Sequence, residues 1–401
     1  MGKRFITATW WLFLAGSLSW TDPAASQTKV SEPVNIARPV ALDGRYVVDV
    51  IGVVAGGNER GARMLGNFEI TADADLDRLA GWRGATGRLH LLNNHGRTIN
   101  DIAGTLQGID NIEVADRRTK LYEAWIEQSL AGGRASLLVG LADLNASFYQ
   151  NDSAGVLIAP AFGIGSELSA TGPNGPSIFP STALTARLNI LIGKQAYIRA
   201  AVVNARAGVL GDEMGIDFAM RDGALLIAEA GSTRGGKLAA GIWRYSRRQD
   251  DIGAPNTAGS PHKRIPTGIY ILVDQRVAGD EARGVHVFLR AGLSDGKTTS
   301  FHGGLQAGML FRGLISGRAE SSLSFGIAHA RLSNGLRQVA QGVGERSAAA
   351  ETGFEITYQD QLAPGLKVQP DVHFIKRAYS AGNSRNALLI GWRMIVKFNR
   401  S

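Results

Sequence analysis

The chain has 401 residues, a formal net charge of +8, 51 glycines and no cysteine. The lack of cysteine excludes disulfides and metal sites built on thiolates. The basic residues stand singly along the chain, so the positive charge does not indicate a nucleic-acid partner. After the N-terminal segment no run of roughly eighteen apolar residues occurs, which excludes a transmembrane helix.

The first residues predict a cleaved export signal, which we assign to 1–26. Lys3 and Arg4 form its positive start, Ile6 to Trp20 its apolar segment, and Ala24-Ala25-Ser26 its cleavage site. The apolar segment is interrupted by threonine and serine and is too short to span about 30 Å of hydrocarbon. We therefore expect an exported protein rather than one held by an N-terminal helix.

The mature chain divides, on its pattern, into an N-terminal periplasmic segment at 27–45 and one β-domain at 46–401. Within that domain apolar and polar residues alternate with a period of two, which predicts β-strands. Roughly fourteen to sixteen strands fit this pattern, and outer-membrane barrels generally have an even number of strands. The regular segments are 68–75, 285–293, 304–311, 350–359, 366–374 and 388–398, and less regular ones are 86–94, 119–130, 134–142, 182–192, 197–204, 223–230, 237–246, 268–276 and 322–331.

The connections between these segments differ in length. Ala363-Pro364-Gly365 is a short turn, whereas about 151–180 and 247–265 are long and rich in Gly, Pro, Asn and Ser. A transmembrane barrel has this asymmetry, and closure satisfies its backbone groups in lipid with only half of the side chains apolar. We therefore predict an all-β, antiparallel transmembrane barrel. A soluble sandwich or propeller is the alternative architecture.

No catalytic or metal motif stands out. The 7 histidines are scattered, and neither H-E-x-x-H nor G-x-S-x-G occurs. The run Asp73, Asp75, Asp77 resembles the start of a calcium loop, but Arg78 and Gly84 replace its turn glycine and bidentate glutamate. We expect no enzyme, no metal and no cofactor, and we interpret the run as one carboxylate face of a strand that enters a turn.

Polar residues alternate with strongly apolar ones inside several predicted strands. An Arg or Lys at mid-bilayer costs about 2–4 kcal/mol, so in a barrel such residues face inwards. Both charge signs beside a tryptophan suit a sugar, whose hydroxyl groups pair with charges while its ring stacks on the indole. The alternative is that these groups pair with each other and only keep the barrel in shape. They are Glu123, Trp125, Glu127, Arg187, Asn189, Arg199 and Arg393.

Several stretches carry a family resemblance when they are taken in order over about residues 66 to 398. They are Gly81-Trp82-Arg83-Gly84, Gly87-Arg88-Leu89-His90, Asn94-His95-Gly96, 121–129, 139–143, 179–184 with Arg187, 351–358, 366–375 and 386–391. This ordered set resembles the carbohydrate-selective porin family of Gram-negative outer membranes (OprB type). Two features depart from the family: the chain ends Phe398-Asn399-Arg400-Ser401 instead of on an aromatic residue, and 205–345 matches only in pattern.

The resemblance implies a sixteen-stranded barrel in the outer membrane, passive diffusion of mono- and small oligosaccharides into the periplasm, and no cofactor. A general or weakly anion-selective porin is the first alternative, because positive rings favour anions; a soluble exported β-rich binding protein is the second. A homotrimer is expected from the class alone. The lumen candidates are Arg83, Glu123, Trp125, Glu127, Arg187, Asn189 and Arg199.

Overall fold

The computed structural model describes residues 38–255, 261–342, 347–378 and 386–400, so the predicted signal at 1–26 lies outside it. Sixteen antiparallel strands form a closed barrel, which confirms the predicted fold. They are β1 Val40–Gly56, β2 Gly61–Asp75, β3 Ala85–Gly96, β4 Arg118–Leu130, β5 Ala135–Ala142, β6 Ala183–Ile192, β7 Ala196–Asn204, β8 Ala224–Ser232, β9 Lys237–Tyr245, β12 Thr267–Gly279, β13 Gly284–Ser294, β14 Phe301–Arg312, β15 Ser322–Leu332, β16 Ala350–Ala363, β17 Leu366–Lys376 and β18 Asn386–Arg400.

In the described parts of the connections lie a separate two-stranded hairpin and four short α-helices. The hairpin consists of β10 Gln249–Pro255 and β11 Pro261–Arg264. The helices are α1 Leu76–Ala80, α2 Asn100–Ala103, α3 Ser166–Ser169 and α4 Asn334–Gly342. None of the described helices is long and apolar enough to cross a membrane.

The barrel closes where its first strand pairs with its last. Leu42 of β1 lies opposite Arg400 of β18 on one side and opposite Ala72 of β2 on the other. Residues 40–45 therefore belong to the barrel and not to the N-terminal segment predicted at 27–45. Their alternation is irregular, but backbone pairing with both neighbours holds them in the sheet.

Alternation sorts the side chains onto two faces. Large apolar side chains point outwards, as shown by the exposed fractions of Ile242 (59%), Ile271 (51%) and Trp392 (57%). Inward positions carry polar and charged groups, such as the buried Glu229 and Arg290. This is the apolar-outside, polar-inside order of a membrane barrel.

The two ends of the barrel differ. One end carries short turns, while the other carries the long loops 97–117, 143–182, 205–223 and 246–266. The two long connections predicted at 151–180 and 247–265 fall within loops of this second end. The hairpin β10–β11 lies in one of them and was not predicted, because its charged residues do not alternate with apolar ones.

The aspartate run after β2 has a structural role. Asp73 is still in the strand and binds Arg88 across the sheet, Nε–Oδ1 2.7 Å. The carboxylate of Asp75 accepts hydrogen bonds from the backbone N–H groups of Asp77 and Arg78 and so caps α1. The run therefore divides into one lumenal ion pair and one helix cap, instead of forming one carboxylate face.

Candidate functional site in the lumen

Loop 143–182 folds into the barrel and packs against the inner wall. Phe148, Tyr149 and Leu168 of the loop are buried in one cluster with the inward side chains Trp243 and Tyr270. The Tyr149 and Tyr270 rings stack with a centroid separation of 3.6 Å. A second cluster joins the loop residues Leu157 and Phe162 to Phe288 and Ala328 of the wall. The loop thus occupies part of the lumen, and it is the constricting loop that the sequence did not identify.

Buried charged residues of the wall bind the backbone of this loop and that of loop 97–117. We call them the anchor wall: Glu229, Asp274, Arg290, Glu351 and Glu355. Arg290 donates to the carbonyl oxygens of Tyr149 at 2.8 Å, of Gly163 at 2.9 Å and of Ala161 at 2.7 Å.

The acidic members of the anchor wall accept from loop amides. Asp274 accepts from the Ser153 N–H at 2.8 Å, and Glu355 from the Ala159 N–H at 2.9 Å. Glu351 accepts at 2.9 Å from Leu106, which belongs to the second inward loop, 97–117. Because each carboxylate satisfies N–H groups that strands and helices leave unpaired, these charges fix the paths of both loops.

The opposite side of the lumen, formed by β1–β4, is more open. We call it the open face: Arg45, Glu69, Asp73, Arg88, His90, Glu123 and Trp125. The Arg45 side chain is 38% exposed and that of Arg88 is 32% exposed, in contrast to the fully buried Arg290. Arg45 and Arg88 are therefore accessible to solvent, whereas Glu123 of the same face is buried beside them.

The charges of the open face alternate in sign across four strands. Arg45 Nη2 lies 2.8 Å from Glu69 Oε1, and Glu69 Oε2 lies 3.6 Å from His90 Nε2. His90 Nδ1 is in turn 3.4 Å from Glu123 Oε2, which Arg88 Nη1 approaches at 3.9 Å. Hydrogen-bond donors and acceptors thus follow one another along the wall at spacings that the hydroxyl groups of a small solute can bridge.

Trp125 adds the apolar element to this face. Its indole N–H donates to Glu123 Oε1 at 3.3 Å, and the Arg88 guanidinium lies 5.5 Å from the ring centroid. The ring is therefore held by its edge and by a cation–π contact, while the side chain stays half-buried. The ring therefore offers a fixed, flat apolar surface beside hydrogen-bonding groups.

A bulge in β4 produces this alignment. Leu91 pairs with Leu121 and His90 with Glu123, so Tyr122 is the extra residue. Uninterrupted alternation over 121–129 predicts that Tyr122 faces lipid with Ala124 and Ile126. The bulge turns it inwards, where its hydroxyl donates to Asp143 at 2.8 Å.

The remaining predicted residues lie where loop 143–182 begins. Arg187 bonds Glu127 and the hydroxyl of Ser147, and Arg199 bonds the carbonyl oxygen of Ser147. Asn189 is 4% exposed and lies opposite Arg199 on the neighbouring strand. These residues lie on the inward face, where Arg187 and Arg199 bind the start of loop 143–182.

Arg83 is an exception among the lumen candidates. It lies in the exposed turn between α1 and β3, at the short-turn end, where its carbonyl oxygen accepts from Gln128 Nε2 at 3.0 Å. Gly81 and Gly84 both have φ of 70°, which makes this segment a tight turn instead of a strand with an inward face. We therefore remove Arg83 from the lumen candidates.

Sequence reasoning missed several residues of the open face. The missed residues occupy polar positions of the alternating strands β1, β2 and β3, and this alternation could have identified them as inward residues. They are Arg45, Glu69, Asp73, Arg88 and His90. The pattern did not show that they approach one another, because their contacts cross strand pairs whose register is set by the fold.

Three carboxyl groups in the inward loops have altered acidity. Burial raises the pKa of Glu167 in α3 to about 7, and Tyr149 donates its hydroxyl to that group at 3.1 Å. Burial also raises the pKa of Glu113 to about 7. Burial, and then the charge of Glu123, raise the pKa of Asp143 to about 7. The loops therefore carry groups that change charge near neutral pH.

The comparisons with known proteins agree with this geometry. The model of the carbohydrate-selective porin family, OprB, matches residues 59–398. Among curated proteins no sequence matches the chain.

Solved structures share the architecture. The high-pH structure of Pseudomonas putida OprB has a TM-score of 0.78 at 20% identity, covering 90% of this chain and 94% of that one. The low-pH structure of the same protein has a TM-score of 0.56 at 17% identity, covering 90% and 92%. The outer membrane channel DcaP of Acinetobacter baumannii has a TM-score of 0.56 at 12% identity, covering 90% and 97%.

Proposed function

This chain belongs to the carbohydrate-selective porin family and is an outer-membrane porin, and from that premise we propose that mono- and small oligosaccharides diffuse passively along its open face. One observation carries the proposal. The alternating charges from Arg45 to Glu123 end beside the half-buried ring of Trp125, in the part of the lumen that loop 143–182 leaves open. Hydroxyl groups of a sugar exchange hydrogen bonds with the charges as its ring passes the indole.

The charge balance of the open face favours neutral solutes over ions. Arg45 and Arg88 are offset at close range by Glu69, Asp73 and Glu123. A wall of paired charges supplies many hydrogen-bonding groups but little net field, whereas ion selectivity needs a ring of one sign. This argues against the weakly anion-selective alternative, although the whole chain carries a charge of +8.

Reconstitution in a planar bilayer tests the proposal. We expect stepwise channels whose current falls saturably as glucose or maltose oligomers are added, and a reversal potential near zero in a salt gradient. Channels that are indifferent to sugar and have an anion-directed reversal potential would instead identify the general porin. Absence of channels from folded protein would contradict the porin function itself.

Two further features belong to the proposal. We propose that residues 1–26 are removed on export, which N-terminal sequencing of the membrane-extracted protein checks. We also propose a homotrimer, on the class alone. Cross-linking in intact outer membranes and the mass of the detergent-extracted particle test that assembly.

A further inference from the structure

Three metal-ligating side chains meet under loop 143–182, away from the open face. Glu355 of β16 lies directly opposite His373 of β17, and Asp371 precedes His373 on the same inward face. His373 Nε2 is 2.5 Å from Asp371 Oδ2, and His373 Nδ1 is 3.7 Å from Glu355 Oε2. One donor atom from each residue lies within 4.8 Å of the other two.

The cluster lacks the hydrogen bonds that other inward charges make. The three side chains are at most 2% exposed. Within the described ranges, neither oxygen of Asp371 and neither nitrogen of His373 has a hydrogen-bond partner of acceptable geometry. A buried polar group without a hydrogen bond costs about 1–3 kcal/mol. The four atoms have at most ion-pair contacts that lack hydrogen-bond geometry, and among the described residues Asp371 Oδ1 lacks even such a contact, which indicates room for a ligand.

The surrounding charge is negative. Nearby, Asp49 and Asp110 share the guanidinium of Arg393, at 2.6 and 3.2 Å. Arg393 and Asp110 are close enough to interact electrostatically with Asp371 and His373, respectively. Four buried carboxylates therefore face one guanidinium and one imidazole, and a divalent cation would offset the excess.

We propose that Glu355, Asp371 and His373 bind one divalent transition-metal ion, with Zn²⁺ as the best fit. Zn²⁺ takes imidazole nitrogen and carboxylate oxygen at about 2.0–2.2 Å and is usually four-coordinate. Three protein ligands leave one position for water, and a small cavity beside Glu355 and His373 gives it room. Ca²⁺ fits poorly, because it takes about 6–8 oxygen ligands and no nitrogen.

The ion would fasten the constricting loop to the wall. Glu355 also accepts hydrogen bonds from the backbone N–H groups of Ile158 and Ala159. Metal coordination fixes that carboxylate, and through it the middle of loop 143–182. This structural role is independent of sugar passage and does not rest on the proposed function.

Metal titration of the folded, detergent-extracted protein tests the proposal. The protein is stripped with a chelator, reloaded with Zn²⁺ and dialysed against zinc-free buffer. We then expect one Zn²⁺ per chain by elemental analysis, and visible absorption when the stripped protein is loaded with Co²⁺ instead. His373→Gln and Asp371→Asn should each weaken Zn²⁺ binding by about tenfold or more, since loss of even a group that only supports a ligand has an effect of that size. Glu351→Gln is the matched control: it also removes a buried carboxylate that holds loop amides, and it should bind Zn²⁺ as the parent does.

Folding is checked separately, by the heat-dependent migration of the barrel in gel electrophoresis. Equal Zn²⁺ binding by folded parent and folded Asp371→Asn, or no bound ion in the folded parent, overturns the proposal. Should both variants fail to fold, X-ray absorption of the zinc-loaded parent decides: one imidazole among oxygen ligands supports the site, and its absence contradicts it. Two N–H signals from the His373 ring, unchanged by Zn²⁺, would show an imidazolium held between carboxylates and also overturn the proposal.

Discussion

The anchor wall and the open face are built by the same alternation and use their charges differently. Arg290 of the anchor wall is 1% exposed, and its donors end on loop carbonyls and on Gln306. Arg88 of the open face has a side chain that is 32% exposed, and its partners are Asp73, Glu123 and the ring of Trp125. One guanidinium completes the backbone hydrogen bonding of a loop, while the other stays available to solute.

The difference shows that an inward charge in a barrel is not by itself a solute contact. Loops that enter a lumen bring unpaired N–H and C=O groups, and these must be satisfied by the wall. The exposed fraction of a charged side chain distinguishes the charges that bind loops from those that remain accessible to solute. Substitutions in the anchor wall should therefore change single-channel conductance, whereas substitutions in the open face should change sugar block.

The largest effect is expected on the anchor wall. Arg290→Ala removes donors from three loop carbonyls and leaves Glu167 buried without its nearby positive charge. Loss of one partner in such a buried network costs roughly 3–5 kcal/mol. We expect loop 143–182 to detach and single-channel conductance to rise about twofold or more, because the lumen widens.

Arg276→Ala is the matched control for this variant, because Arg276 is an exposed residue of β12. It should conduct like the parent. A folded Arg290→Ala barrel with parental conductance would show that the anchor wall does not hold the loop.

The next effect depends on pH. The pKa of Glu167 is about 7 in the folded protein and 4.5 ordinarily, so the folded state favours the protonated carboxyl. The contribution of the protonated Glu167 carboxyl to the stability of the folded protein is therefore fully present below pH 4.5 and is lost as pH rises through about 7. We expect the loop to loosen, and conductance to rise, between pH 5 and 8.

Glu167→Gln should weaken this pH dependence, since the amide stays neutral throughout. Residual dependence is expected from Asp143 and Glu113, whose pKa values are also raised to about 7. Glu281→Gln, in an exposed turn, should keep the full parental profile. An unchanged profile in Glu167→Gln would mean that this carboxyl does not control the loop.

A smaller effect is expected on the open face. Trp125→Ala removes the aromatic surface without touching the anchor wall. Aromatic contacts contribute about 1 kcal/mol, so sugar block should weaken about fivefold while conductance changes little. Trp82→Ala is the control, because Trp82 is 49% exposed in the turn before β3. Equal sugar block in the two variants would remove Trp125 from the passage.

No measurable effect is expected from Arg83→Ala. The side chain is exposed at the short-turn end, and the contact of this residue with Gln128 uses its carbonyl oxygen, which alanine retains. Single-channel conductance and sugar block should both equal those of the parent. A clear loss of sugar block would return Arg83 to the lumen candidates.

The barrel was predictable because its signal is local. In segments such as 285–293 and 388–398 the alternation alone assigns each side chain to one face of the sheet. The face can therefore be predicted without knowing which strand is the partner. The limits of β1 were missed, since residues 40–45 are kept in the sheet by pairing with β2 and β18 and not by their own pattern.

The interior was less predictable because it is made by distant contacts. Glu351 bonds the amide of Leu106 across a sequence separation of 245 residues, and no pattern in the sequence records that contact. Glu355 and His373 meet through strand register, so they leave no metal-binding motif. The alternation identified Glu123 and Glu127 as inward charges. It did not show that Glu123 accepts from the N–H of Asp143 while Glu127 pairs with Arg187.

Pairing of β1 with β18 also determines the order of assembly. The first and last strands meet across nearly the whole chain, with Asp49 bound to Arg393 over a sequence separation of 344 residues. Until β18 is present, the growing sheet has two unpaired edges, and exposed edges recruit other strands. Closure is thus a late step with a large loop entropy to overcome, and a chain that stops short of β18 should aggregate instead of forming a smaller barrel.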